Sequence, residues 1–409
     1  MTVTSQELLD RAALLDRDDP LAGFVDRFEP ARGVSAYLDG NSLGRPLRET
    51  AQRLRAFVEQ DWGSRLIRSW DEQWMELPFA LGDRIARAAL GAVAGQTVVA
   101  DSTTVLLYKL MSAGIAAQPG RDEIVIEAGN FPTDRFVAEG LAEAHGLRLT
   151  RLDVDPVEGV TAEDLAAAVT ERTALVVLSH VDYRSGAIAD MRAITAEAHR
   201  RGALVLWDLC HSAGAVPVEL DASGADFAVG CTYKYLNGGP GSPAFAYVRA
   251  DLQARAPQPV QGWMGAADVF AMGDRYEPAA GMRRYLSGTP PVLGMLPMQG
   301  MLELIEEATI ARVREKSVSL TSLAVEAYDA LLAPLGVRLL TTRDPEHRGG
   351  HVSFGHPSFE AAVRRLWSDG VIPDFRHPDG IRVGLSPLST THLETVQGVL
   401  AIREAMSEV

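Results

Sequence analysis

Asp208 and Lys234 stand 26 residues apart, and each follows an apolar run that reads as a strand, Leu204 to Leu206 and Phe227 to Val229. A carboxylate at one strand end and a primary amine at the next suit a known division of labour. The carboxylate bonds a protonated pyridine nitrogen, which makes the ring an electron sink. The amine forms an imine with an aldehyde and later carries a proton. The pairing points to pyridoxal phosphate held as a Schiff base on Lys234. His211 lies three residues beyond Asp208, Tyr233 directly precedes the lysine, and a glycine-rich turn follows it at 237–241. Glycines there permit unusual backbone angles and a close approach to a ligand. The plain alternative is an exposed lysine in a loop.

Three further groups could serve such a cofactor. Ser102, Thr103 and Thr104 precede a helical run, and hydroxyls with free N–H groups at a helix start suit a phosphate; an ordinary N-cap is the alternative, and the two are compatible. Asn130 to Asp134 (NFPTD) closes a strand and opens a helix, where Phe131 can stack on a pyridine face and Thr133 or Asp134 can cap the helix. A capped turn with a core Phe explains the same residues. Arg382 lies in the strand-like run GIRVG, and a guanidinium is the side chain best suited to bidentate capture of an amino-acid carboxylate. Taken alone, it reads as a surface strand residue.

These residues need a scaffold that brings strand ends together. From about Gln96 to Phe245 apolar runs (Ile124 to Ile126, Leu149 to Val154, Leu175 to Leu178, Leu204 to Leu206) alternate with helix-like stretches, among them Ala162 to Thr170 and Asp190 to Arg201. That alternation predicts an α/β fold with a mainly parallel sheet covered on both faces. Such sheets place ligands beyond the carboxyl ends of their strands. The chain divides into an N-terminal arm (1–70) that contributes to the small domain, a large cofactor-binding domain (71–292), and a small C-terminal α+β domain (293–409). Past Pro290 and Pro291 one helical pattern runs through Leu302, Ile305, Ile310 and Val313.

The 409 residues, 47% of them hydrophobic, suffice for a large core. A net charge of −15 argues against nucleic acid or an anionic membrane as partner. The start, MTVTSQELLDRAALLDRDDP, is broken by charge and has no apolar core of a secretory signal. No apolar run approaches the ~18 residues of a membrane span. Two cysteines, Cys210 and Cys231, offer neither a disulfide framework nor a zinc site, and no metal is expected. A cytoplasmic protein acting on a small molecule is the expectation.

Together the motifs resemble kynureninase, a fold-type-I pyridoxal-phosphate hydrolase. The likeness runs from about Tyr37 to about His392, through YLDGNSLG (37–44), WGSRLIRSW (62–70), NFPTD (130–134), WDL-HSAGAVPVEL from Trp207, GCTYKYLNGGPG from Gly230, GW (262–263), SGTPPVL from Ser287 and DFR-PDGIRVGLSPL (374–388). The resemblance implies that Lys234 carries the cofactor, Asp208 pairs with the pyridinium, His211 lies near the phenolic oxygen and Phe131 stacks on the ring. It places Thr103, Thr104 and Tyr233 at the phosphate, with Ser179 and Asp134 lining the cofactor. Trp263 and Thr289 match positions that reach the phosphate across a homodimer interface, so two chains share each site. Arg382 matches the substrate-carboxylate clamp, and Asn41 and Gly288 border the substrate. The implied reaction hydrolyses L-kynurenine to anthranilate and L-alanine, with Tyr233 as the candidate acid for Cβ.

The chain departs from the family at three points: Leu106 where bacterial members usually carry Asn, Ala266 where a His often follows Gly, and Asp182 where Asn precedes the Tyr of an HVNY run. Gly288-Thr289 resembles the bacterial, kynurenine-preferring form. Other readings remain: a relative acting on 3-hydroxykynurenine or another modified kynurenine in a secondary pathway, a cysteine desulfurase or aminotransferase, or a non-enzymatic homologue. A desulfurase needs a nucleophilic Cys on a mobile loop, and both cysteines lie in strand-end motifs.

Overall fold

The computed structural model describes residues 3–407. A capped helix, Ser5–Asp18, leads to a short strand, β1 (Ala36–Leu38). The large sheet follows: β2 (Thr97–Ala100), β3 (Glu123–Glu127), β4 (Arg148–Leu152), β5 (Thr173–Ser179), β6 (Leu204–Asp208), β7 (Phe227–Gly230) and β8 (Ala244–Val248). Their order is β2-β8-β7-β6-β5-β3-β4. Neighbours from β4 to β7 are parallel, and β8 is antiparallel to both β7 and β2. Strands β5, β6 and β7 are buried at every residue, as continuous apolar runs such as ALVVL require when helices cover both faces. The chain therefore has the mainly parallel α/β architecture expected from the alternation.

The parallel strands β3 to β7 end along one edge, which sets Asn130, Ser179, Asp208 and Lys234 close together. The helix Pro132–His145 begins directly after that edge, with Pro at its first position, and stops at Gly146 in the left-handed region (φ 64°). Neither Thr133 nor Asp134 caps it. Phe131 is the N-cap residue, and its side chain has no acceptor to make a cap bond; its own N–H donates to Asn130 Oδ1 (2.6 Å).

A second sheet comprises β9 (Arg338–Leu339), β10 (His351–Gly355), β11 (Val371–Arg376) and β12 (Gly380–Gly384), in the order β1-β11-β12-β10-β9. The N-terminal arm thus supplies an edge strand to this sheet. Leu8 and Ala12 of the first helix pack into the same core, with Leu323, Phe354 and Val399.

The long helical pattern after Pro291 breaks in two, Val292–Ala308 and Ile310–Leu331. Thr309 between them has φ 66°, uncommon for a β-branched residue. The first half and the start of the second, at Val313, serve one core, and the rest of the second half serves the other. Met295, Leu302 and Ile305 pack with the large sheet, whereas Leu320, Leu323 and Tyr328 pack with the small one. The apolar periodicity continues through both halves, so nothing in it marks the turn. The first half, assigned by sequence to the small domain, packs with the large one. Among the described residues no helix is long and apolar enough to cross a membrane.

Candidate active site

The lysine loop is held from four sides. Thr232 Oγ1 donates to Pro243 O (2.6 Å), Gly238 N to Thr232 O (2.8 Å), and Gly44 N to Tyr233 O (2.9 Å), while Asn237 Nδ2 reaches Arg45 O (2.7 Å). A Cβ at Gly44 would run into Lys234 O and the Asn237 side chain, so the NSLG turn needs glycine there. Lys234 is buried, its Nζ 3.2 Å from His211 Nε2 and 5.9 Å from the Phe131 ring centroid. The Tyr233 ring centroid lies 6.0 Å from the same nitrogen.

Asp208 ends β6. Its Oδ1 accepts the Cys210 N–H at 2.7 Å, leaving Oδ2 for another donor. Asp134 is buried nearby, and Oδ1 has no hydrogen-bond partner. Burial, then the charge of Asp208, pushes the Asp134 carboxyl well above its ordinary range. Two carboxylates in one buried pocket call for a cationic donor. A protonated pyridine nitrogen supplies one, and Phe131 offers a ring face beside it. Asn130 Oδ1 also accepts from Ser179 Oγ (2.8 Å), which ties the ends of β3 and β5 together.

The helix Thr103–Ala116 begins after Ser102 with no side-chain cap bond, so its first N–H groups are free for an anion. Asp101, at φ 45°, is fixed there by Lys109 Nζ (2.6 Å). These features fit pyridoxal phosphate: a ring face, an acid pocket for its nitrogen, a lysine for its aldehyde and a helix start for its phosphate.

Arg382 is 2% exposed and already bonded. Nε donates to Asp374 Oδ2 (2.8 Å), Nη2 reaches the same oxygen and Ser42 Oγ (3.1 Å), and Nη1 donates to Tyr183 O. Arg376 Nε lies 2.8 Å from that Asp374 oxygen too. Burial lowers the Arg382 pKa, and Asp374 opposes the shift. The sequence reading missed Asp374 as the counter-ion, although the hairpin register sets Asp374 directly opposite Arg382. It also missed Tyr183, which meets Phe131 edge-on at 5.2 Å, and His351, whose ring centroid lies 5.7 Å from that of His211. Nothing in the local pattern marked these two.

Trp263 opens a short 3-10 turn and Gly288 and Thr289 lie on an exposed loop, the two segments joined by the Met264 N to Ser287 O bond (3.2 Å). Trp263 is 44% exposed and packs edge-on against Phe270. Asn41 is fully buried beside Gly384.

The three departures have distinct settings. Leu106 is buried in the core with Val98 and Ile126. Asp182 Oδ1 accepts from Arg184 N, Ser185 N and Ser185 Oγ, and with burial, the larger cause, its charge pushes Glu127 up to about 8. Ala266 is half-buried and bridges to Pro278. Cys210 and Cys231 are both buried where β6 and β7 end, with Cys231 N donating to Cys210 Sγ (3.3 Å).

Residues 86–365 match the family model for class-V aminotransferases. The chain is 44% identical to a kynureninase of Pseudomonas fluorescens over 398 residues, 96% of this chain and 94% of that protein. It is 41% identical to a kynureninase of Burkholderia pseudomallei over 403 residues, covering 97% and 95%. Among solved structures, the cysteine desulfurase CsdA of Escherichia coli superposes with a TM-score of 0.79 at 19% identity, covering 95% of this chain and 99% of that one. A cysteine desulfurase of Thermococcus onnurineus gives 0.77 at 20% identity, covering 97% and 98%. At such identities these two structures speak for the fold alone.

Proposed function

The chain belongs to the kynureninase family within the class-V aminotransferase fold, and from that premise we propose that it hydrolyses the Cβ–Cγ bond of L-kynurenine to anthranilate and L-alanine, in kynurenine metabolism. The observation that carries the proposal is the convergence of Lys234, His211 and Phe131 over the Asp208 and Asp134 pocket.

Pyridoxal phosphate, when bound, supplies an aldehyde for the substrate amine and a cationic ring that withdraws electrons from Cα. Asp208 would accept the ring N–H, with Asp134 as a second carboxylate in the pocket. Phe131 covers one ring face, and His211 stays neutral beside the lysine because burial, then the Lys234 charge, holds its pKa well below the ordinary value. The free helix start at Thr103 and Thr104 would hold the phosphate with Tyr233, and Ser179 would line the edge.

Lys234 carries the proton away from Cα. Arg382 takes the substrate carboxylate, and Asn41 and Gly288 border the substrate. Tyr233 donates to Cβ as cleavage proceeds; burial, the main cause, raises its pKa, so the phenol keeps its proton until then. Trp263 and Thr289 act on the phosphate of a second copy in a homodimer. The exposed Trp263, Phe270 (62%) and Met272 (73%) support such a partner.

L-Kynurenine is preferred over 3-hydroxykynurenine. A Cβ at Gly288 would meet nothing within 4 Å, so the position offers space but no polar partner, and Ala266 offers none. A buried hydroxyl without a partner costs roughly 1–3 kcal/mol, about tenfold in preference. Steady-state assays of both substrates with the cofactor-loaded protein test this, with kcat/KM expected to favour L-kynurenine. Preference for the hydroxylated substrate would overturn the pocket argument. Turnover of neither, with cofactor bound, would point to another aryl ketone.

A further inference from the structure

Where the two sheets meet, beside the lysine, several fully buried polar side chains have no well-formed hydrogen bond. Asn41 is 0% exposed and bonds through neither Oδ1 nor Nδ2. His351, the first residue of β10, is also 0% exposed, and neither ring nitrogen makes a well-formed hydrogen bond, the Arg184 backbone giving it only a weak contact. The hydroxyls of Tyr235 and Ser386 have no hydrogen-bond partner.

These groups are neighbours. His351 pairs with Gly384 across β10 and β12, and a Cβ at Gly384 would strike the Asn41 side chain. A Cβ at Gly350, one residue before His351, would stand 2.7 Å from Tyr235 Oη. Tyr235 and Ser386 line a cavity of about 10 Å³. That is close to the smallest volume that holds one water. On the other side the His351 ring approaches His211, which contacts Lys234 Nζ.

Folded proteins rarely leave buried donors and acceptors unpaired, and here four side chains do so together. The set is neutral and mixed. Burial, then the charges of Lys234 for His211 and of Arg382 for His351, holds both imidazoles unprotonated, so each ring presents one donor and one acceptor. Asn41 adds a donor and an acceptor, and the hydroxyls serve as either. A metal ion or an anion would want charge; water wants this mixture.

We propose that Asn41, His351, Tyr235 and Ser386 hold ordered water between them, and that His351 positions the water consumed at the substrate carbonyl. The proposal rests on the hydrolytic reading above. In the step, the water oxygen bonds to the ketone carbon as the Cβ–Cγ bond breaks. That oxygen ends in the aryl carboxylate, one hydrogen ends in the alanine methyl group, and the other leaves as a proton. His351 acts through the water, so it is a positioning residue.

The test compares two reactions of the cofactor-loaded enzyme: kynurenine hydrolysis, and exchange of the Cα hydrogen of L-alanine in D2O. Exchange needs the cofactor, Lys234 and the carboxylate clamp but no water at a carbonyl carbon. His351→Leu is expected to lower kcat for hydrolysis at least about tenfold. KM and alanine exchange are expected to stay within about twofold. His351→Gln keeps a donor and an acceptor and is expected to restore most of the loss. Exchange and hydrolysis falling together, or hydrolysis unchanged, overturns the proposal.

High-resolution diffraction from the wild-type holoenzyme gives an independent answer should His351→Leu fail to fold. Water bridging Tyr235 Oη and Ser386 Oγ and reaching His351 is expected, and a dry pocket overturns the proposal. A wild-type enzyme that exchanges alanine yet hydrolyses no kynurenine would sink the functional reading instead, and the diffraction would still decide the water site.

Discussion

The sheet edge and the loop face contribute to the candidate site in opposite ways. Ser179 and Asp208 end strands that are buried at every residue, and Lys234 follows a third such strand. Their backbones are fixed by ladder hydrogen bonds and their side chains by a filled core. Trp263 packs against the exposed Phe270 (62%), and Gly288 and Thr289 stand on a loop a few residues before the exposed Leu293 (44%). On the proposed function one chain would fix the acid–base chemistry, and the loop face would complete the phosphate and aryl ends of a second copy's site. Substitutions at the edge are expected to act on chemistry at any protein concentration, whereas substitutions on the loop face are expected to act through assembly.

The largest effect is expected at Asp208. In Asp208→Asn the side-chain oxygen can still accept the Cys210 N–H, so the fold is kept while the negative charge is lost. Turnover should fall at least about a hundredfold, the scale seen when a preorganised group facing a developing charge is removed. Thermal unfolding should shift by only a few degrees, corresponding to about 1 kcal/mol. Near-normal turnover would remove Asp208 from the chemistry and leave the edge no better founded than the loop face.

Arg382 comes next. Its loss would remove the proposed substrate clamp, and it leaves Asp374 with Arg376 alone. Arg382→Ala should cut kcat/KM at least about tenfold, equivalent to roughly 2 kcal/mol of a charge-assisted bidentate contact. It should lower stability as well, because a partly buried carboxylate keeps only one cation. Arg382→Lys should restore stability better than activity, since an ammonium can neutralise Asp374 but lacks the planar fork. Unchanged kcat/KM in the Ala variant would move the clamp elsewhere.

The sheet edge was legible because its signals are local. An apolar run, an acid or amine at its end and a glycine turn lie within one stretch of chain. The Asp374 and Arg382 pair was legible in principle through hairpin register, but only once both strands are assigned and paired. His351 and Asn41 were harder. They meet through Gly384, from segments some 300 residues apart, and no periodicity carries that distance. The helix break at Thr309 was hidden for another reason: both halves keep the same apolar spacing while the chain passes from one core to the other.

The smallest expected effect lies on the loop face and separates the two regions most directly. Trp263 is 44% exposed, so Trp263→Ala should change the stability of the isolated chain by no more than about 0.5 kcal/mol. If Trp263 reaches the phosphate of a second copy, the same variant should weaken cofactor retention severalfold, on the order of 1 kcal/mol for one lost hydrogen bond. The loss should be coupled to assembly. Diluting the wild-type protein until it dissociates should release cofactor to a similar extent, and the Trp263→Ala protein should show little further change on the same dilution. Asp208→Asn, by contrast, should lose turnover equally at every concentration. Cofactor release measured by absorbance against protein concentration, with molecular mass followed in parallel, distinguishes the two patterns. Retention that is indifferent both to Trp263→Ala and to dissociation would mean that one chain completes the phosphate site with Thr103, Thr104 and Tyr233 alone.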